Sequence, residues 1–233
     1  MNINSPSLVF KDIQGTNNPK SIILHHALHP SCSIMDIHIW HLNNGWCGCG
    51  YHYFIRRDGQ IWRGRPENKP GAHCKESSMN FNSIGICLEG CYEFYIPKGG
   101  NKNIGQKDGP TDRQLEALEW LCFDIMKRYK LTYKNIKPHS YHANYKKCPG
   151  DYWNYYSFIA GLNKAIPIDI PIEEKKETWQ DKIGKESIAL LNKHGIVNDV
   201  EDWNKKNFIN AAPLWLVFLL ASRIVELIVK KDK

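Results

Sequence analysis

Residues 137–150, Lys-Pro-His-Ser-Tyr-His-Ala-Asn-Tyr-Lys-Lys-Cys-Pro-Gly, gather two imidazoles, His139 and His142, and the thiol of Cys148 in one polar stretch. Far upstream, the apolar run Ile22-Ile23-Leu24 leads directly into His25 and His26. Nitrogen and sulfur donors of this kind suit Zn²⁺. A site that uses three of them keeps one position open for water, whose pKa falls to about 7. That is hydrolytic chemistry at neutral pH. A single loop histidine is more often a surface residue, so the weight lies on the conjunction.

The elements that must position these groups are legible in part. Ser21–Leu28 reads as a short buried strand that hands over to polar chemistry at its histidines. Ser33 with Asp36 forms an N-cap pattern, and Ile34, Ile37 and Trp40 recur at helical spacing until Asn43-Asn44-Gly45. Asp58-Gly59, between the β-prone runs Tyr51–Ile55 and Gln60–Trp62, predicts a hairpin. Ser83–Leu88 is another apolar strand, and residues 99–110 form a polar loop rich in turn residues. Thr111 and Gln114 make a capping box ahead of a helix with Leu115, Leu118, Leu121, Cys122, Ile125 and Met126 on one face. A further helix is expected after Pro149-Gly150, capped by Asp151. Strands and helices alternate, so the expected fold class is α/β: a central, mostly mixed β-sheet flanked by helices, with a small C-terminal all-helical module.

Several ordered blocks resemble the amidase-2 family of N-acetylmuramoyl-L-alanine amidases, which shares its fold with peptidoglycan-recognition proteins and includes phage endolysins. They are Ile23-Leu24-His25-His26, Gly45-Trp46, Gly50-Tyr51 through Asp58-Gly59, Gly71-Ala72-His73, Asn82-Ser83-Ile84-Gly85-Ile86, and His139 through Cys148-Pro149-Gly150. The resemblance covers residues 22–162. It implies one catalytic zinc ion held by His25, His139 and Cys148. His142 is the alternative to His139 and would leave an unusually short loop before the cysteine. Tyr51 matches the family's catalytic tyrosine. Lys146, two residues before the cysteine, matches the residue that reaches the substrate carbonyl. His73 and Asn82 become candidates for binding the peptide.

Where the family often carries a glutamate that acts as base, this chain has Cys87. Glu89 lies two residues on along a strand, roughly 7 Å away, so the base role passes to Tyr51 together with the metal's own water, with Glu89 a minor helper. Cys47-Gly48-Cys49 lacks the partners a second metal site requires. The implied reaction is cleavage of the amide between N-acetylmuramic acid and the L-alanine of the stem peptide in bacterial peptidoglycan. The alternative is a recognition module that binds without cutting; such members typically lose the cysteine ligand, which is present here.

The 233 residues carry a net charge of +7, which favours polyanionic partners, yet no basic run is interleaved with aromatics as a nucleic-acid groove requires. Nucleic acid is therefore not an expected partner. The start lacks a basic segment followed by an apolar one, so no signal peptide is expected. That points to synthesis in the cytoplasm and action on the host wall after release, and to eight cysteines kept mainly as thiols. The expected domains are a catalytic domain at 1–164, a linker at 165–177 marked by Pro167 and Pro171, and a helical module at 178–233. Leu214–Val229 is apolar, but Arg223 and Glu226 interrupt it, so no transmembrane segment is expected. Wall attachment is the role expected of the module, with homo-oligomerisation through its helices as the alternative.

Overall fold

The computed structural model describes residues 1–165, 179–194 and 221–222. The chain divides into two compact units, Met1–Ile166 and Pro167–Lys233. In the second, the helix α6 (Trp179–Lys193) buries Ser187, Ile188 and Leu191. The expected linker beyond Ala165, Trp203, and the expected Leu214–Val229 helix apart from Ala221 and Ser222 lie outside the described residues. Among the described residues, no helix is long and apolar enough to cross a membrane.

The first unit is built on one mixed sheet of six strands. These are β1 (Ile3–Asn4), β2 (Ser21–His26), β3 (Tyr53–Ile55), β4 (Ile61–Arg63), β5 (Ser83–Leu88) and β6 (Ile136–Pro138), in the order β1-β4-β3-β5-β2-β6. Only β3 and β4 are antiparallel, joined by the hairpin that Asp58-Gly59 predicts. Ile22, Ile23 and Leu24 of β2 are fully buried, as expected of a central strand paired in parallel on both sides and covered on both faces.

Side chains alternate across the sheet, and the β2–β5 register sorts them. Ile22, Leu24, Ile84, Ile86 and Leu88 belong to the core that includes Leu118, Leu121, Cys122, Ile125 and Met126 of α3 (Asp112–Tyr129). On the other face Phe54 and Cys87 pack with Ile34 and Ile37 of α1 (Ile34–Asn43). Both helices begin with the capping boxes read from sequence, Ser33 with Asp36 and Thr111 with Gln114. Gln114 does more than cap. It is fully buried, and its Nε2 donates to the Ile55 and Glu89 carbonyls at 3.2 and 2.9 Å, tying α3 to the ends of β3 and β5.

Among the described strands and α-helices, four carry no sequence expectation: β1, β6, the single turn α2 (Met79–Asn82) and the single turn α4 (His139–His142). The helix expected directly after Gly150 begins later, as α5 (Tyr155–Ala165). The Asn154 side chain, not that of Asp151, accepts from the first turn, from the Ser157 N–H at 3.1 Å. Asp151 instead pairs with Lys147 at 2.9 Å.

Candidate metal centre and substrate groove

Parallel pairing brings the site together. Leu24 of β2 lies opposite Pro138 of β6, so His139, the next residue, arrives beside His25. Their ring centroids are 4.5 Å apart. The loop after α4 returns: the Ser140 N–H donates to the Cys148 carbonyl at 2.8 Å, and Cys148 Sγ lies 3.7 Å from His25 Nδ1. One ligand atom from each of His25, His139 and Cys148 falls within a 4.8 Å cluster, and His142 is not part of it. Alternation along β2 sends the adjacent His26 elsewhere; its Nδ1 accepts from the Tyr92 N–H at 2.9 Å.

The donor set fits zinc. Bonds of about 2.0–2.1 Å to nitrogen and about 2.3 Å to sulfur at a tetrahedral angle put N and S about 3.6 Å apart, close to the 3.7 Å between His25 and Cys148. Both imidazoles are held neutral, as ligation requires. Burial first, then the neighbouring His73 and His139, push the His25 pKa well below its ordinary value. Burial, then Lys146, lowers His139 to about 4, opposed by Glu76. Burial raises the Cys148 thiol to about 12, partly offset by the His26 backbone N–H. A cation beside the sulfur is what would draw out the thiolate.

His73 stands in direct contact with His25, its Nδ1 3.0 Å from His25 Nε2. Its ring rests on the bare backbone of β5, where a Cβ on Gly85 would come within 2.5 Å of His73 Cδ2. The Tyr51 ring lies 5.1 Å from that of His25. Burial, then the nearby Cys87, Cys148 and Cys49 thiols, pushes its pKa well above the ordinary phenol value, so the hydroxyl stays a donor. Arg65, 3% exposed, fastens the backbone around both residues by donating to the Gly48, Cys49 and Pro70 carbonyls.

A groove of about 540 Å³ opens beside this cluster, lined by Trp46, His73, Asn80, His139, Lys146 and neighbours. Lys146 and His73 both line it. Asn82 does not line the groove; its amide donates to the Ser78 carbonyl at 3.0 Å. Asn80 takes that place, its Oδ1 accepting from the His73 and Cys74 N–H groups at 2.8 and 2.9 Å. Glu89 is absent from the groove lining. It is buried, accepting from the Ser31 hydroxyl and from the Cys32 and Arg57 N–H groups at 2.9–3.1 Å, where it joins three loops. No local sequence pattern marks Cys74, Glu76, Asn80 and Tyr145, which meet in this lining only through the fold.

The family model for N-acetylmuramoyl-L-alanine amidase matches residues 15–151. The endolysin of Escherichia phage T7 is 34% identical over 125 residues, 52% of this chain and 74% of the relative. The endolysin of Enterobacteria phage K11 is 42% identical over 96 residues, 41% of this chain, which spans 57% of that relative's length. Among solved structures, the N-acetylmuramoyl-L-alanine amidase LysC from Clostridium intestinale superposes with a TM-score of 0.57 at 28% identity, covering 70% of this chain and 98% of LysC. The family match takes in β2 through β6, both capped helices and the whole His25–His139–Cys148 cluster, and on that extent the chain belongs to the N-acetylmuramoyl-L-alanine amidase family.

Proposed function

We propose that this protein is a zinc-dependent amidase of the phage or prophage endolysin type. It cuts the amide between the lactyl group of N-acetylmuramic acid and the L-alanine of the stem peptide. The observation that carries the reading is the convergence of His25, His139 and Cys148 beside a groove lined by Lys146 and His73. A zinc ion held there would supply a Lewis acid for the scissile carbonyl and a water ionised near neutral pH.

The chain's own residues do the rest. His73 Nδ1 accepts the proton on His25 Nε2, which leaves the Nδ1 lone pair of His25 facing Cys148 and fixes the ring. The Tyr51 hydroxyl and the Lys146 ammonium supply a neutral donor and a positive charge for the oxyanion that develops in the tetrahedral transition state. Retention of Cys148 and Tyr51 speaks against the binding-only reading. The C-terminal segment 178–233 would attach the enzyme to the wall, which it reaches after release from the cytoplasm.

The test incubates purified walls with the protein and with Cys148→Ser, and counts newly exposed L-alanine amino groups against new reducing ends. New amines from the parent and none from the variant are expected. New reducing ends without amines would mean a glycosidase and end the proposal.

A further inference from the structure

Beside the His25–His139–Cys148 cluster a second set of donors converges. One ligand atom from each of Cys74, Glu76 and His139 also falls within 4.8 Å. Cys74 Sγ lies 3.7 Å from Glu76 Oε2, and the same oxygen lies 3.9 Å from His139 Nε2. His139 is 4% exposed and its Nε2 is buried without a hydrogen-bond partner. A buried polar atom left so costs about 1–3 kcal/mol. The nearest acid is too distant to bond it directly and well placed to share a cation with it.

The surroundings hold these donors in place. Asn80 Oδ1 fixes the backbone at Cys74 through its N–H. The Tyr145 hydroxyl donates to Glu76 Oε1, leaving Oε2 turned to the thiol and the imidazole. Sulfur, nitrogen and carboxylate oxygen together form a zinc-type set. A tetrahedron with bonds of about 2.0–2.3 Å has edges of about 3.4–3.7 Å, so the Cys74–Glu76 and Glu76–His139 pairs need to close by only a few tenths of an ångström, and Cys74 and His139, which lie within 4.8 Å, by about 1.2 Å at most. All three residues line the groove.

We propose that Cys74, Glu76 and His139 form a second zinc site, filled when zinc is in surplus, and that an ion there obstructs the groove and inhibits hydrolysis. The inference goes beyond the amidase reading and shares only His139 with it. A neutral imidazole has one free lone pair, so His139 can serve both ions only by giving up its remaining N–H proton to solvent and bridging them as an imidazolate, which makes the second ion bind more weakly than the first.

Titrating the metal-free protein with Co²⁺ and following thiolate-to-cobalt charge-transfer absorption tests it. The wild type should show two steps, the second at least tenfold weaker. Cys74→Ser should keep the first step and lose the second; Glu76→Gln, which retains the thiol, should weaken the second at least tenfold. Surplus zinc should reduce wall hydrolysis relative to one equivalent in the wild type and spare Cys74→Ser. A single step in the wild type, or a second step unchanged in Cys74→Ser, overturns the inference. A first step that survives in Cys148→Ser refutes the amidase centre instead, so the two readings fail separately.

Discussion

Replacing His73 by leucine should release zinc without unfolding the protein. The exchange keeps comparable bulk against Gly85 and removes the acceptor 3.0 Å from His25 Nε2. His25 is 1% exposed, so its N–H would be left buried and unpaired, at a cost of about 1–3 kcal/mol. At about 1.4 kcal/mol per decade, that corresponds to a loss of roughly 10–100-fold in zinc affinity, the range typical of removing a ligand's outer partner. His73→Gln, whose amide oxygen can take the same proton, should recover part of it. Competition against a chromophoric chelator at neutral pH measures the effect, with thermal unfolding of the metal-free variants as the control for folding. Zinc binding by His73→Leu within twofold of the parent would refute the reasoning, as would a glutamine variant no better than leucine.

Acid should begin to destabilise the fold above the ordinary carboxylate range. Burial holds His26 and His52 near pKa 4, so the folded state binds fewer protons than the unfolded state between about 4 and the ordinary 6.5. Stability from these groups is present above pH 6.5 and falls as the pH drops toward 4. The loss is about 2 kcal/mol each by pH 5 and about 3 each by pH 4. Urea unfolding of the metal-free protein checks this, and equal stability at pH 7 and pH 5 would contradict it. For the helical module, deleting residues 172–233 should reduce pelleting with purified walls while the remaining domain stays folded; unchanged pelleting would remove the wall-attachment role.

The contributions of sequence and tertiary structure divide by range. Features set within one turn or one hairpin were legible. Ser33 with Asp36 and Thr111 with Gln114 start helices by satisfying backbone N–H groups a few residues away, and Asp58-Gly59 turns the β3–β4 hairpin. The strands β1 and β6 were not legible, since two or three residues show no periodicity and exist only through their partners. Cap competition within residues 150–155 went to Asn154 because Asp151 is drawn to Lys147.

The same division runs through the site. By itself the sequence determined which residue types were present and, through its family resemblance, pointed to His25, Tyr51, Lys146 and Cys148 as partners in one reaction. It left His139 and His142 as alternatives, and the parallel Leu24–Pro138 pairing carries His139 to within 4.5 Å of the His25 ring, ring centroid to ring centroid. It offered Glu89 a minor role, and the fold buries that carboxylate among three loops. Contacts such as His25 with His73, or Cys74 and Glu76 with His139, join residues separated by tens of positions. No local propensity encodes such meetings. Strand register and the alternation of side chains across a buried sheet create them, which is why only the tertiary structure reveals them.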